Sequence, residues 1–248
     1  MRTFPTDFDA VDRPILLSGM AKSWPAFGAW SFSSLAARSA GVRVPVHTGR
    51  YRARMNGKTA ERDGAAQWMT VADWVERMSA GGGVGYLAGL ELLRGVPALR
   101  AECAFPPATR SPTAVDVIWL GAAGTLTQLH FDRSLNINAL IVGRKRFSFY
   151  RPDRTGLAPR PVTWTHSMSA LDLGSEEAFE ASGVRPDLEL DVDAGDALFI
   201  PYGWWHRVRT IEPSIAVNRW WWSTRTIRAR AVDAGAALLG LRDGPPLA

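Results

Sequence analysis

The sequence predicts a mainly β fold with helices on its outside. Two long stretches, 115–150 and 188–222, consist of apolar or alternating runs of strand length that are separated by turn signals. One such signal is the pair Gly195-Asp196, which precedes the apolar run ALFIP. At 248 residues with 46% hydrophobic composition, the chain suits a single domain of the β-barrel or sandwich type.

Helix signals occur in the first third of the chain. Residues 32–40 are predicted to form a short helix, which Ser31 or Ser33 caps at its start. Thr70 and Asp73 have the spacing of a capping box, which predicts a second helix running to about residue 79.

Strand signals surround these helices. Residues 13–19 are predicted to be a short buried strand and residues 84–92 a strand, and Asn56-Gly57 is a hairpin signal. The run VRVPVHTG alternates like an edge strand, a position that tolerates Pro45. We interpret His47 in this run as a structural or exposed residue, because no second metal ligand lies near it in sequence.

The stretch 125–150 carries the chemistry. His130 and Asp132 lie two residues apart, so a strand directs both side chains to the same face. A third ligand is predicted at His206, which follows the apolar strand of GDALFIPYGWWH. Two histidines and one carboxylate form the facial triad of non-haem Fe(II) oxygenases.

The same stretch predicts buried polar groups. If the strand is unbroken, Asn136 and Asn138 share the face of Asp132, and a bound ligand would satisfy their amides. Lys145 shares its face with two phenylalanines and is therefore a buried cation that needs an anion.

Composition restricts the partners. The net charge of +5 comes from arginines that alternate with acidic residues, so we favour an arginine-rich soluble protein over a nucleic-acid-binding one. The single Cys103 excludes an internal disulfide and suits the reducing cytoplasm. No apolar run reaches the length of a membrane span, and the first residues do not resemble a signal peptide.

Four motifs in order, WLGAAGTLTQLHFD, N-x-N-A-L-I-V-G-R-K-R-F, GD-x-LFIP-x-x-WWH-x-V and VNRW, resemble the cupin-like JmjC family of Fe(II)- and 2-oxoglutarate-dependent oxygenases. This resemblance implies a double-stranded β-helix, or jelly roll. It divides the single domain, 1–248, into an N-terminal extension (1–83), a β-helix core (84–222) and a C-terminal helix (223–248).

The resemblance also implies roles for individual residues. Tyr86, Thr127 and Lys145 match the residues that bind the distal carboxylate of 2-oxoglutarate. Asn136 and Asn218 are further predicted cosubstrate residues, and Trp220 matches a tryptophan of the pocket wall. Glutamines that often follow the tyrosine in hydroxylases are replaced by Ala88 and Gly89. The substrate is therefore expected to be held differently.

Three functions are compatible with these residues: a 2-oxoglutarate-dependent hydroxylase, a metal cupin enzyme without 2-oxoglutarate, and a non-catalytic binding module. We favour the hydroxylase, which would use dioxygen and act on a protein side chain or a small molecule, and expect demethylation less. The insertion 151–185 is expected over the barrel mouth, with His166 as a substrate-side or surface residue. The helix predicted over 224–241 makes a homodimer plausible.

Overall fold

The computed structural model describes residues 4–54, 56, 58–81, 85–162, 166–229 and 231. The strands among these residues are β1 Ile15–Leu17, β2 Arg43–His47, β3 Tyr51–Ala53, β4 Ala60–Arg62, β5 Gln67–Thr70, β6 Tyr86–Gly89, β7 Val115–Gly121, β8 Leu126–Asp132, β9 Leu135–Tyr150, β10 Pro159–Pro161, β11 His166–Ser169, β12 Leu188–Asp193, β13 Ala197–Ile200 and β14 Trp205–Trp221. The α-helices are α1 Pro25–Ala29, α2 Phe32–Arg38, α3 Val71–Ser79, α4 Leu90–Gly95, α5 Ala98–Ala101 and α6 Glu176–Ala181.

Twelve of these strands form one hydrogen-bonded sheet. It bends so that its strands make up two layers, here called the first face and the second face. The first face has the order β1-β13-β9-β14-β7-β6-β2-β5, and β3 pairs with β4 as a separate hairpin. The second face adds β12 beside β9, and β8, β11 and β10 beside β14. This antiparallel arrangement confirms the predicted jelly-roll class, which is mainly β with flanking helices.

The two longest strands belong to both faces. Residues 135–142 of β9 pair with the second half of β14, and residues 144–150 pair with its first half. Both strands bend where Gly143 adopts φ 81°. A Cβ there would lie 2.1 Å from the Pro213 carbonyl oxygen, so only glycine fits at this position. The sequence of residues 211–214 also predicts a turn between two strands, and this prediction is wrong, because bulges let β14 continue through this region.

The helices cover the outer side of the first face. Ile137, Ala139 and Ile141 of β9 pack into a cluster that includes Trp24 and Trp74 from the helical layer. The opposite face of the same strand points inward, as the alternation of the sequence predicted. On this side the hydrophobic core therefore lies between the sheet and the helices. The interior of the barrel is left available for a site.

Local signals in the N-terminal region were mostly confirmed. Ser31, not Ser33, caps α2, and the Thr70 capping box begins α3. The hairpin around Asn56 is present as β3 and β4. Two predictions were wrong: Leu90 begins a helix rather than extending β6, and β2, the strand of Pro45, lies between β5 and β6 instead of at an edge. Pro45 is tolerated because the β6 register covers only the two residues that follow it.

Residues 224–229 are helical, and most of the predicted 224–241 helix, with its dimer contact, lies outside the described residues. None of the helices that the structure describes is both long and apolar enough to cross a membrane.

Candidate metal and cosubstrate site

Three side chains whose atoms can ligate a metal converge inside the barrel. His130 and Asp132 project from β8, and His206 from β14, where it is paired directly with His130. One ligand atom from each residue lies within 4.8 Å of the others. Nε2 of His206 lies 3.9 Å from Oδ2 of Asp132. The structure thus brings together the three residues predicted as metal ligands.

Backbone carbonyls orient both imidazoles. The Nδ1 atom of His130 lies 2.8 Å from the Gln128 carbonyl oxygen, and Nδ1 of His206 lies 3.0 Å from that of Trp204. A proton on each Nδ1 would satisfy these carbonyls and leave the Nε2 lone pairs for a metal. Burial, with the charge of His130 as a second cause, lowers the pKa of His206 to about 4. His206 is therefore neutral at pH 7, the form that binds metals.

Asp132 is kept ionised by its neighbours. Burial alone would raise its pKa, but the two histidines and a hydrogen bond outweigh this effect, so the pKa lies below its usual value. The hydrogen bond is donated by the Trp220 indole over 2.9 Å. The Asn136 amide donates a longer one, of 3.4 Å, to the same oxygen. Trp220 therefore contacts the metal cluster directly, besides forming part of the wall.

The three predicted asparagines form a chain of amides that ends at the metal cluster. Asn138 donates to Asn218 over 2.6 Å, and Asn218 donates to Asn136 over 2.9 Å. The expectation that a bound ligand would satisfy these amides needs correction, because they mostly satisfy one another. Among the described residues, the Oδ1 atom of Asn138 is the exception and has no hydrogen-bond partner.

A β-bulge brings Thr127 to the face of His130. The register of β8 against β14 shifts so that Thr127 opposes Val208 while His130 opposes His206. Three residues of β8 thus match two of β14, which reverses the alternation once. The Thr127 hydroxyl donates over 2.8 Å to the hydroxyl of Tyr86. Thr127 and Tyr86 are therefore neighbours, as the resemblance implied.

Lys145 lies in the same cavity as a buried cation. Its ammonium group is 6.0 Å from the centre of the Tyr86 ring, and the residue is only 4% exposed. Burial lowers its pKa to about 8. No carboxylate of the described residues forms an ion pair with it. A ligand carboxylate at this position would supply the missing anion.

One cavity of about 450 Å³ connects these groups. Its lining includes the metal cluster, the predicted wall residue Trp220, and all the predicted cosubstrate residues: Tyr86, Thr127, Asn136, Lys145 and Asn218. The donor set of two imidazoles and a carboxylate suits Fe(II). The buried cation and hydroxyls suit the far carboxylate of a small dicarboxylic acid.

His166 lies beside the metal cluster rather than at the surface. It belongs to β11, pairs with Asp132 of β8, and its ring centre lies 6.4 Å from that of His130. Burial lowers its pKa to about 4. The insertion 151–185 is thus joined to the site by strand pairing, although residues 163–165, including Trp164, lie outside the described part.

Two cavity residues were missed from the sequence. His47 was interpreted as structural or exposed, but it lines the cavity, paired with Tyr86 in the sheet. Arg62, at the end of the β3–β4 hairpin, lines it as well. Val44 and Val46 are buried, so alternation directs His47 to the opposite side of β2. Only the pairing of β2 with β6 shows that this side faces the cavity.

Comparison with known proteins agrees with this geometry. The sequence model described as the cupin-like domain matches residues 1–227. Lysine-specific demethylase 8 of Danio rerio is 29% identical over 239 residues, which are 89% of this chain and 56% of that protein. The Xenopus tropicalis protein of the same name is 30% identical over 221 residues, covering 84% and 48%.

Jumonji C domain-containing protein 5 of Drosophila melanogaster is 28% identical over 237 residues, covering 89% of this chain and 57% of that protein. The chain spans about half the length of these curated relatives. The predicted family is confirmed by the match over nearly the whole chain, and with it the cofactor pair expected from the motifs. The chain belongs to the cupin-like domain family, whose JmjC members use Fe(II) and 2-oxoglutarate.

Proposed function

We propose that the chain is an Fe(II)- and 2-oxoglutarate-dependent dioxygenase that hydroxylates a protein side chain or a small molecule. The observation that carries this proposal is Lys145. A buried cation with no anion partner among the described residues lies in the same cavity as a His-Asp-His cluster. A metal cupin without 2-oxoglutarate would have no evident need for that cation.

The roles of the residues follow from their positions. His130, Asp132 and His206 would hold Fe(II), which couples the oxidative decarboxylation of 2-oxoglutarate by dioxygen to oxidation of the substrate. Lys145 would bind the distal carboxylate, and the hydroxyls of Tyr86 and Thr127 would donate hydrogen bonds to it. The Asn136 and Asn218 amides would orient Asp132 and line the wall beside the cosubstrate.

The hydrophobic surroundings would protect the reaction. Phe147, Ile200 and Val208 line the same cavity as the metal cluster and Lys145. These side chains exclude water from one side of the site, which strengthens the ionic contact with Lys145. Trp220 and Trp119 pack edge to face, with ring centres 6.2 Å apart, and would form the wall on the substrate side.

Demethylation is a second candidate that the names of the relatives favour. Two of them are called lysine-specific demethylases. A demethylase would hydroxylate an N-methyl group with the same residues, so the two candidates differ in substrate and not in machinery. Release of formaldehyde from a methylated peptide would identify the demethylase, whereas a stable mass increase of one oxygen would identify the hydroxylase.

An anaerobic titration tests the cofactor proposal. Purified protein is titrated with Fe(II) and then with 2-oxoglutarate while visible absorption is recorded. We expect a metal-to-ligand charge-transfer band that requires both, that is absent in Asp132→Ala, and that needs far more 2-oxoglutarate in Lys145→Ala. Lys58→Ala, which alters an exposed lysine, is the matched control and should behave as wild type.

The outcomes separate the alternatives. Iron binding without a band would favour a cupin of different chemistry. Failure to bind iron would favour a non-catalytic binding module. Dimerisation through residues 223–248 and a cytoplasmic location are further predictions, and analytical ultracentrifugation of the full chain against a chain ending at residue 222 tests the first of them.

A further inference from the structure

The β3–β4 hairpin and the residues before it form one wall of the cavity, and two side chains fix this wall. The Gln128 amide accepts from the Tyr51 backbone N–H over 2.5 Å and donates to its carbonyl over 3.2 Å. Arg50 donates to the buried Asp172 carboxylate over 2.7 Å. The hairpin is therefore held against β8, the strand of two predicted metal ligands.

Arg62 is the charged group that this wall presents. Its guanidinium lies 4.6 Å over the Tyr51 ring and donates to the Gly49 carbonyl over 3.3 Å. No carboxylate of the described residues forms an ion pair with it. By contrast, Arg52 and Arg54 of the same hairpin are paired with Asp63 and Glu61 and are largely exposed.

The position of Arg62 relates it to the metal cluster. The Tyr51 ring beneath it lies 6.1 Å from the His166 ring, which lies 6.4 Å from the His130 ring. The positive charge of Arg62 is also among the causes that lower the pKa of His47, His166 and Tyr86. A substrate group bound to Arg62 would thus reach the cavity from the side of His166.

The charges of the cavity leave Arg62 unmatched. Glu176 is paired with Arg209 and lies 3.5 Å from Arg207, and Arg50 is paired with Asp172. If iron and 2-oxoglutarate bind as proposed, Asp132 and the two carboxylates of the cosubstrate balance the ferrous ion and Lys145. Arg62 then remains as the positive charge that the primary substrate meets.

A second, independent group points in the same direction. The Nδ1 atom of His47 is buried and has no hydrogen-bond partner among the described residues. Burial, followed by the charge of Arg62, lowers the pKa of His47, so its ring is neutral and carries one N–H donor. An uncharged donor near an unpaired guanidinium is suited to an oxyanion.

We propose that the primary substrate is acidic and that Arg62, assisted by His47, binds its carboxylate at the cavity mouth. This inference rests on the proposed function and deepens it, since it names the class of substrate. A methylated lysine or arginine would bring a second positive charge toward Arg62. The carboxylate belongs either to an aspartyl or glutamyl side chain of a polypeptide or to a free amino acid.

Binding measurements on protein loaded with Mn(II) and 2-oxoglutarate test the proposal without turnover. The probes are capped pentapeptides, Gly-Gly-X-Gly-Gly, with X as Asp, Asn or dimethyl-lysine, together with free L-aspartate and its diamide, which lacks both carboxylates. Calorimetry should show that an acidic probe binds about tenfold or more tightly than its amide counterpart. The peptide and the free amino acid distinguish the two sources of the carboxylate.

Variants assign this preference to Arg62. Arg62→Gln should abolish the preference for the acidic probe over its amide counterpart, and Arg62→Lys should keep part of this preference. Arg54→Gln, on the same hairpin, should leave the preference unchanged. His47→Phe should weaken binding of the acidic probe without weakening binding of its amide counterpart. Equal binding of acid and amide, tighter binding of the dimethyl-lysine peptide, or no binding of any acidic probe would overturn the inference.

Binding of 2-oxoglutarate is measured in the same preparation, so the two proposals can fail separately. If 2-oxoglutarate binds and no acid preference is found, only the substrate inference is overturned. If 2-oxoglutarate does not bind but an acidic probe binds in an Arg62-dependent way, the acidic-ligand site stands and the dioxygenase proposal is overturned.

Discussion

The amide of Asn138 donates a 2.6 Å hydrogen bond to Oδ1 of Asn218, and through Asn136 this contact continues to Asp132. Asn218→Ala should therefore have two effects. Two buried amides lose a partner, which should lower the free energy of unfolding by about 1–3 kcal/mol. Fe(II) affinity should also fall, because Asp132 is held less firmly.

Urea unfolding and anaerobic Fe(II) titration without 2-oxoglutarate measure these two effects. Asn138→Ala is the matched control, since it removes the far end of the same chain of amides. It should destabilise the protein while leaving Fe(II) affinity closer to that of wild type. Equal Fe(II) affinities in both variants would contradict a role for this chain in holding Asp132.

Trp220→Phe should separate the indole hydrogen bond from the ring. Phenylalanine keeps an aromatic face toward Trp119 but removes the N–H that donates to Asp132 over 2.9 Å. We expect Fe(II) affinity to fall by about tenfold or more, as is usual when a group that orients a metal ligand is removed. Trp222→Phe is the comparison, because its indole donates instead to the Arg133 carbonyl. Similar Fe(II) affinities in the two variants would refute the assignment.

Lys145 makes 2-oxoglutarate affinity depend on pH. Its pKa near 8 means that the ammonium form is lost as the pH rises through that value. The dianionic cosubstrate binds the charged form, so its affinity should weaken by up to about tenfold per pH unit above 8. Calorimetry between pH 7 and 9.5 measures this change. Over the pH range in which Lys145→Arg binds 2-oxoglutarate, its affinity should not change with pH.

The same lysine should destabilise the protein without its cosubstrate. The folded pKa of about 8 lies below the ordinary lysine pKa of 10.5, which corresponds to roughly 3 kcal/mol at pH 7. This cost is fully present below pH 8 and disappears as the pH rises toward 10.5, because the unfolded chain then releases its proton too. Lys145→Met should therefore unfold at higher urea concentration than wild type at pH 7. A lower midpoint would contradict this assignment.

Asp172 joins the insertion to the bulge of β8. Its buried carboxylate accepts from the Leu129 backbone N–H over 2.7 Å and from Arg207 and Arg50. Asp172→Asn leaves two partly buried arginines without this partner and should lower the free energy of unfolding by about 3 kcal/mol. Urea unfolding measures the change. Asp153→Asn, an exposed partner of Arg151, should unfold at the wild-type midpoint.

The sequence was informative wherever strand periodicity was regular. The two-residue spacing of His130 and Asp132 and the alternation through Lys145 were enough to predict which groups meet inside the barrel. Thr127 required the family resemblance, because the bulge next to His130 reverses the alternation. The turn predicted at residues 211–214 was wrong, because the sequence around them does not reveal that β14 continues there beside the bend of β9 at Gly143.

The residues missed from the sequence depend on contacts between distant strands. His47 and Arg62 reach the cavity through pairing of β2 with β6 and anchoring of the hairpin by Gln128. Neither position has a local pattern that distinguishes it from other half-buried polar residues. The predicted metal ligands, by contrast, lie in motifs whose neighbours are also characteristic.

The placement of β14 has a consequence for the order of events during synthesis. It is the last strand among the described residues, pairs with β7, β8 and β9 and also carries His206, so closure of the barrel and completion of the metal cluster should occur together. Such long-range pairing is the slow part of folding. A nascent chain that has emerged only as far as β13 holds two of the three ligands in an open sheet. Tight binding of iron is therefore expected only after residue 221 has emerged from the ribosome. Such binding would show that the barrel has closed.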